Sequence, residues 1–474
     1  MQRAAVRPTE RGRTKGCAKE MNWKHDVALR VIKLLNVLLV AACFAGAWLL
    51  YYEDTMLVTY YFRGEVAVIG LYTVLYAMLN RTYDGFLISY NPVSQIVFSQ
   101  SLAAFLADAI MVVMMWIMAK RFPVLWPGIL ALIAQVCVIT LWAVLANLWY
   151  FHSFKPKPTV VVFDAREGME NLIAEYGFDK KFKVRATVPT EECLKDLSCL
   201  DSVRTVFLSG VHSHDRNVIL KYCVEHDIQA MVIPRIGDVI MSGARRMHML
   251  YLPILRTGRC HLSVEFAAVK RLFDILLSLL ALIVLSPIML VTALAIKLTD
   301  HGPVFYKQVR LTRNGREFKV IKFRSMRVDA EKDGVARLST GTSDDRITPV
   351  GRIIRACRVD ELPQLINILK GDMSIVGPRP ERPEIAAEYE KELPEFRLRL
   401  QVKAGLTGYA QVYGKYNTTP YDKLMMDLMY IAHPSVAQDL AIMLATVKIL
   451  FMKESTEGIE KGQTTAGGTG AKKQ

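Results

Sequence analysis

The chain has 474 residues, 52% of them hydrophobic and 22% charged, with a mean hydropathy of +0.22; this excludes a disordered protein and argues against a purely soluble one. Lys and Arg number 60 against 45 Asp and Glu, a formal charge of +15 that suits phosphate-rich partners: nucleotides, anionic lipid or nucleic acid. The eight cysteines (17, 43, 137, 193, 199, 223, 260, 357) form no CxxC pair, which speaks against a zinc ribbon, disulfide scaffold or thioredoxin motif and fits reduced thiols on a cytosolic face.

Residues 1–27 read as a basic cytosolic tail, with Arg3, Arg7, Arg11, Arg13, Lys15, Lys19 and Lys24 against Glu10 and Glu20. A signal peptide also begins basic, but no small-residue cleavage site follows the first apolar stretch. Residues 28–152 hold four apolar stretches: Leu34–Tyr52, Val58–Leu79, Leu102–Ala119 and Leu125–Tyr150. Each approaches the length needed to cross about 30 Å of hydrocarbon. A buried soluble helix is the alternative for any one of them; four in so short a span favour a membrane. Four crossings return the chain to its starting side, where Lys155 and Lys157 match the basic tail. Arg63 and Glu65 interrupt the second stretch, and Lys120–Arg121 fall outside on this count.

Residues 157–255 change texture. Thr159–Phe163, Phe182–Val188, Thr205–Leu208 and Ala230–Pro234 read as short strands, with helical stretches such as Met169–Tyr176 and Arg216–His226 between them. The alternation predicts a Rossmann-like α/β domain with a parallel sheet. The first strand is followed by Asp164-Ala-Arg-Glu-Gly168 rather than G-x-G-x-x-G, so a structural or regulatory domain is favoured over a nucleotide site.

Residues 267–453 carry the chemistry. Ile275–Ile296 is almost wholly apolar and broken by Ser286-Pro287, with Lys270 and Arg271 before it and Lys297 after it. Pro287 removes a backbone donor and crowds the carbonyl of Ile283, and a neighbouring serine can satisfy freed groups in lipid. The local sequence fits either a kinked spanning helix or a re-entrant one that bends at Ser286-Pro287. Basic residues on both flanks oppose a crossing. Val304–Val309 and Glu317–Phe323 predict a hairpin about Arg313-Asn314-Gly315. Eight cations against one acid in Lys307–Arg327 exceed what solubility needs and suggest contact with anionic headgroups or a lipid phosphate.

Leu362, Leu365, Ile366 and Leu369 recur at helical spacing and Gly371 is a stop signal, which predicts Asp360 and Glu361 at a helix start. Acids there are commonly caps. They could also be a nucleophile and a metal ligand, with Arg355 holding a phosphate. Gly377-Pro378-Arg379-Pro380 comes next, a loop stiffened by two prolines. Leu440–Phe451, with Lys448 inside it, is apolar but too short to span, so it reads as interfacial. Residues 454–474 read as a disordered tail.

KRLFDILLSLLALIVLSPIML, GPVFYKQVRLTRNGREFKVIKFRSMR, RVDELPQLINILKGDMSIVGPRPERPE and KAGLTGYAQV together resemble the bacterial sugar transferase family, the monotopic polyprenyl-phosphate hexose-1-phosphate transferases. The four helices and α/β domain in front resemble the large form that starts exopolysaccharide, capsule or O-antigen synthesis. The resemblance implies a membrane protein with an N-terminal four-helix transmembrane bundle, a central α/β domain and a C-terminal α+β monotopic catalytic domain on the cytoplasmic face of the inner membrane. It implies transfer of a hexose-1-phosphate from a UDP-sugar to undecaprenyl phosphate, with release of UMP.

By motif match, Asp360 is the nucleophile that forms a covalent phosphosugar. Glu361 helps bind Mg2+, and Arg355, Arg379 and Lys270 are the candidate phosphate contacts. Ser286-Pro287 matches the break of the family's re-entrant helix. The sugar stays open among glucose, galactose and modified hexoses, and a second copy of the chain is a candidate partner. A membrane-anchored scaffold with a degenerate transferase domain is opposed by the intact Asp360, Glu361 and Arg355. A nucleic-acid binder is opposed by cations that lie beside apolar insertions rather than among stacking aromatics.

Overall fold

The computed structural model describes residues 11–56, 62–119, 121–164, 166–249, 251–327, 346–414 and 418–450. Most of the expected basic tail's side chains, residues 58–61 of the second apolar stretch, Lys120, Phe451 and the expected 454–474 tail lie outside the described residues. The chain divides into two compact units, residues 1–232 and 233–474.

The first unit begins with four long helices. Helix α1 (Arg11–Ala47) continues through a π turn at Trp48–Tyr52 and a 3-10 turn to Thr55. Then come α2 (Phe62–Thr82), α3 (Val93–Met118) and α4 (Trp126–Ser153). Among the described residues, five helices are long and apolar enough to cross a membrane: His25–Thr55, Phe62–Thr82, Val93–Met118, Trp126–Ser153 and Val264–Thr299. The first four contain most of the four stretches expected from sequence.

Helix α1 packs on α2 and α4, and α3 on α2 and α4. Their polarity is inverted relative to a soluble fold. Leu34, Leu38, Phe105, Ile117, Leu141 and Leu148 are exposed, whereas Asn36, Asn80, Gln100 and Gln135 are fully buried. Small residues such as Ala103, Ala107, Ala143 and Ala146 line the contacts and let the backbones approach. Inside, Asn36 donates to Gln100 at 3.0 Å, Gln100 to the Gly85 carbonyl at 2.8 Å and Tyr76 to Asn36 at 3.1 Å.

The same unit ends in a four-stranded parallel sheet of order β2-β1-β3-β4. In chain order it comprises β1 (Lys157–Phe163), α5 (Met169–Glu175), β2 (Phe182–Pro189), α6 (Thr190–Lys195), β3 (Thr205–Ser209), α7 (Ser213–Glu225) and β4 (Gln229–Val232). Strand alternation sends Val160 and Val162 to a core with Leu208, Ile219 and Cys223. It sends Val161 to the opposite face with Ile173 and Phe182. Both faces are covered, as a parallel sheet requires. The predicted strands are therefore present. The domain, expected to reach residue 255, closes at Val232 because the chain from Ile233 onward packs into the second unit.

That unit opens with α8 (Ile236–Ser242) and an antiparallel hairpin of β5 (Arg245–Met249) and β6 (Leu252–Arg256). Next is α9 (Val264–Asp300), 37 residues long with Pro287 inside. The hydroxyl of Ser286 donates to the Ile283 carbonyl at 2.7 Å. This is the acceptor that the proline ring deprives of its usual donor, so the helix continues across the break. Strands β7 (Phe305–Leu311) and β8 (Glu317–Phe323) pair antiparallel about Arg313–Gly315, where Asn314 and Gly315 take positive φ. The remaining elements are α10 (Pro349–Ala356), α11 (Gln364–Lys370), β9 (Ser374–Val376), α12 (Pro383–Glu392), β10 (Gly405–Thr407), α13 (Tyr409–Tyr413), α14 (Pro420–Ala432) and α15 (Val436–Leu450). Helix α15, expected at the membrane interface, packs into the unit's core through Ile442. Its Thr446 hydroxyl meets that of Thr407 at 2.6 Å.

Candidate active site

The site is built where α10 hands over to α11. Arg358 takes a left-handed conformation (φ 53°) and starts a 3-10 turn, Val359–Glu361. A non-glycine residue there costs on the order of 1–3 kcal/mol and tends to mark a functional turn. Asp360 and Glu361 were expected at the start of a helix. They lie instead in this separate turn, because α11 begins only at Gln364 after Pro363. Helix α11 ends at Gly371 in the left-handed region, as its stop signal predicts.

Three other elements converge on this turn. Lys322, near the end of β8, places Nζ 2.7 Å from Glu361 Oε1. Arg379, from the Gly377–Pro380 loop, places Nη2 3.0 Å from the same oxygen. Glu361 and Lys322 are well shielded, at 13% and 20% exposure, while Arg379 keeps 42% of its side chain open. Arg355, one turn before the acids, acts electrostatically on Asp360.

The two carboxyls are driven apart. Burial works against ionisation of Glu361, but Arg379 and Lys322 outweigh it and hold its pKa far below the usual carboxylate range. Burial raises the pKa of Asp360, and the neighbouring Glu361 charge adds to that; Lys322, Arg355 and Arg379 only partly offset them. Glu361 is thus the fixed anion, and Asp360 is a half-buried carboxyl whose side chain makes no hydrogen bond among the described residues. That division suits a positioned partner and a reactive group.

The framework explains why the cations point inward. Asn367 of α11 uses its amide as a piece of strand: it accepts from Ile321 N at 2.9 Å and donates to the Lys319 carbonyl at 2.9 Å. This locks β8, and with it Lys322, to the acid-bearing segment. The Gly377–Pro380 loop is held from several sides. Gly377 N donates to Thr407 O, and Gly405 N to Pro378 O. Arg310 donates to the Pro380 carbonyl at 3.0 Å, and Arg399 to the Arg379 carbonyl at 3.0 Å. Glycine is required here: a Cβ on Gly405 would come within 2.1 Å of Gly377 N. Below the loop, Arg399 pairs with Asp427 at 2.7 Å and Glu381 at 3.5 Å, and Arg310 approaches Glu381 at 4.0 Å. We expect Asn367→Ala to lower stability by about 1–3 kcal/mol, because it strands a backbone donor and acceptor. It should also reduce turnover by releasing Lys322; thermal melting and steady-state rates would show both.

The structure places Asp360, Glu361, Arg355 and Arg379 near one another, and Lys270 elsewhere. Its Nζ contacts Asp439 at 2.6 Å, Val376 O at 3.0 Å and Tyr430 Oη at 3.2 Å. A lysine has three donors, so all are taken by a brace between α9, α14 and α15, and none is left for a substrate phosphate. Among the eight cations of Lys307–Arg327, several have partners within the protein: Lys322 turns to Glu361, Arg310 to Gln308 and the Pro380 carbonyl, and Arg316 to Asp372. Sequence reasoning missed Lys322 as the partner of Glu361, and missed Arg399, Asp427 and Glu381 altogether; nothing local marks them.

A family model described as bacterial sugar transferase matches residues 265–453. The chain is 44% identical over 187 residues (38% of this chain, 92% of the other) to an exopolysaccharide production protein, PSS, of Rhizobium leguminosarum. It is 41% identical over 191 residues (39% and 71%) to a UDP-glucose:undecaprenyl-phosphate glucose-1-phosphate transferase of Caulobacter vibrioides. It is 40% identical over 191 residues to a UDP-N-acetylgalactosamine-undecaprenyl-phosphate N-acetylgalactosaminephosphotransferase of Aeromonas hydrophila, where the match spans 40% of this chain and 45% of that protein. A membrane protein with an acid pair clamped by cations next to a long apolar helix is thus placed in a class. The chain belongs to the bacterial sugar transferase family.

Proposed function

We propose that the chain is a phosphoglycosyl transferase that moves a hexose-1-phosphate from a UDP-sugar to undecaprenyl phosphate, the first membrane step of exopolysaccharide, capsule or O-antigen synthesis. The observation that carries this reading is the acid pair: one carboxylate fixed by Lys322 and Arg379, and beside it a carboxyl whose pKa is raised by burial and by that neighbour.

In the first step, an oxygen of ionised Asp360 attacks the phosphorus that carries the sugar. The bond from that phosphorus to the bridging oxygen breaks, and UMP leaves with the electron pair. Arg379, open on one side, and Arg355 offer charge to the phosphates in this step. In the second, an oxygen of undecaprenyl phosphate attacks the same phosphorus. The acyl phosphate breaks, Asp360 is restored as a carboxylate, and a lipid diphosphate sugar results. An acyl phosphate is a good phosphoryl donor, so one pocket can serve a water-soluble donor and then a lipid acceptor.

Magnesium takes oxygen donors, with one or two carboxylates completed by water and substrate phosphate. Asp360 and Glu361 fit in type. Glu361 Oε1 is already held by two cations, so its other oxygen and Asp360 would hold the ion. When bound it would neutralise charge on the diphosphate and the departing UMP.

In this reading α1–α4 form a transmembrane bundle and the second unit lies on the cytoplasmic face, with α9 half inserted. Both halves of α9 pack on that one unit, which supports the reading. Ala281 and Leu282 join Phe318 and Ile368, while Met289, Ala293 and Ile296 join Phe323 and Ile354. Its other side exposes Leu276, Leu280, Ile283, Val284, Leu290, Val291 and Leu294. A helix crossing straight through could not keep its far half against the same domain.

The test is UMP release from a panel of UDP-sugars by the full chain with undecaprenyl phosphate and magnesium; no release from any of them would overturn the assignment. The same assay reads pH. Only ionised Asp360 attacks, so the acid limb of kcat/KM should lie above the ordinary carboxylate pKa of about 4. Glu361→Gln removes the like charge and frees two cations, so that limb should move to lower pH even though the rate falls. An unmoved limb would separate Asp360 from the titration.

A further inference from the structure

Helices α1–α4 carry an ionisable group that sugar transfer does not use. Asp108 lies in the central part of α3, whose outer face exposes Phe105, Ile110 and Val113. The groups that face it are Cys43 of α1 and Tyr52 of the following turn, Tyr72 of α2 and Gln135 of α4. None of these is a cation.

Gln135 is fully buried and donates Nε2 to Asp108 Oδ1 at 3.3 Å. The pair's two other oxygens, Asp108 Oδ2 and Gln135 Oε1, are buried and without a hydrogen-bond partner. If Asp108 were ionised, both oxygens would be acceptors only, and neither could satisfy the other. The charge would also sit in a lipid-embedded interior with nothing positive facing it. One proton on Oδ2 removes both conflicts. The acid O–H then donates to Gln135 Oε1, the Gln135 amide still donates to Oδ1, and the two side chains close a cyclic acid–amide pair. The buried Tyr72 hydroxyl also reaches Asp108; a phenol can donate to the carboxyl in either protonation state, but that leaves Gln135 Oε1 without a donor, which only a proton on Asp108 supplies.

We propose that Asp108 is a proton-binding site inside the helix bundle, held protonated and locked to Gln135 as an acid–amide ring that joins α3 to α4. It rests on the reading of α1–α4 as a membrane bundle and is independent of the chemistry at Asp360.

Infrared spectra of the full chain in lipid nanodiscs at pH 7, wild type minus Asp108→Asn, test it. The expected result is a carbonyl stretch of a protonated carboxylic acid that is lost in the variant. Carboxylate stretches in its place would overturn the proposal. The rate at which the band shifts in D2O is a separate readout: slow exchange supports a lipid-embedded position, while fast exchange with the band present would count against the bundle reading and leave the proton in place. Gln135→Leu keeps the acid and removes its partner, so the band should move to the frequency of a less hydrogen-bonded acid; an unmoved band would sink the ring. In melting experiments Asp108→Asn, which preserves a ring of the same shape, should match the wild type. Gln135→Leu should melt lower by about 4 °C; equal loss in both variants would also overturn the proposal.

Discussion

Asp360→Asn is expected to abolish turnover while leaving the fold intact. Removing the nucleophile of a covalent mechanism costs about 10^4-fold or more, and Asn keeps the shape of the side chain. With UDP-sugar alone, the wild type should yield a phosphosugar adduct on the peptide carrying Asp360, and the variant none. The absence of any adduct in the wild type, or a rate that survives the substitution, would remove Asp360 from its role. Arg379→Lys is the informative companion, because a lysine cannot reproduce the planar fork that meets Glu361 and still presents a second edge. A result in which Asp360→Asn is dead and Arg379→Lys merely impaired would separate bond making from charge placement.

The largest effect on stability is expected at Arg399. Its guanidinium is 4% exposed and Asp427 beside it 2%. Burial pushes the pKa of Asp427 up, and Arg399 is the chief group opposing that shift. Arg399→Met leaves a carboxylate buried without its main partner, a loss of about 3–5 kcal/mol. It also removes the donor to the Arg379 carbonyl, so the loop that aims Arg379 should loosen. Chemical denaturation of the purified chain reads the first effect. Adding Asp427→Leu to Arg399→Met should recover part of it, because the orphaned charge goes too. A double variant no more stable than the single one would show that the pair is not the main brace.

The parts of this protein legible in its sequence are those whose signal is local. The Val160–Val162 run, buried on both faces, marked a parallel strand. Asn314-Gly315 marked the hairpin turn. The spacing of Leu362, Leu365, Ile366 and Leu369 with Gly371 after them marked α11. The site was legible only in its covalent neighbours. Asp360 and Glu361 stand side by side, but Lys322 meets Glu361 across 39 positions of sequence and Arg399 meets Asp427 across 28. No periodicity encodes either pairing. Lys270 misled for the converse reason: a lysine flanking an apolar helix reads as free, and only the fold reveals that Asp439, Tyr430 and Val376 surround its head. The helical spacing that runs back to Leu362 puts the acids at a helix start, and the left-handed backbone of Arg358 that sets them in a separate turn has no sequence signal.

Arg271 of α9 donates to the carbonyls of Ile368 and Leu369 at 2.6 and 2.7 Å, closing the last turn of α11. On the proposed reading, a helix half inserted in the bilayer is thereby tied to the end of the helix that follows Asp360. A thinner or thicker lipid layer that tilts the inserted helix must drag that end with it. On that reading the rate of sugar transfer would follow the thickness of the membrane, and a detergent that leaves the fold intact would still detune it.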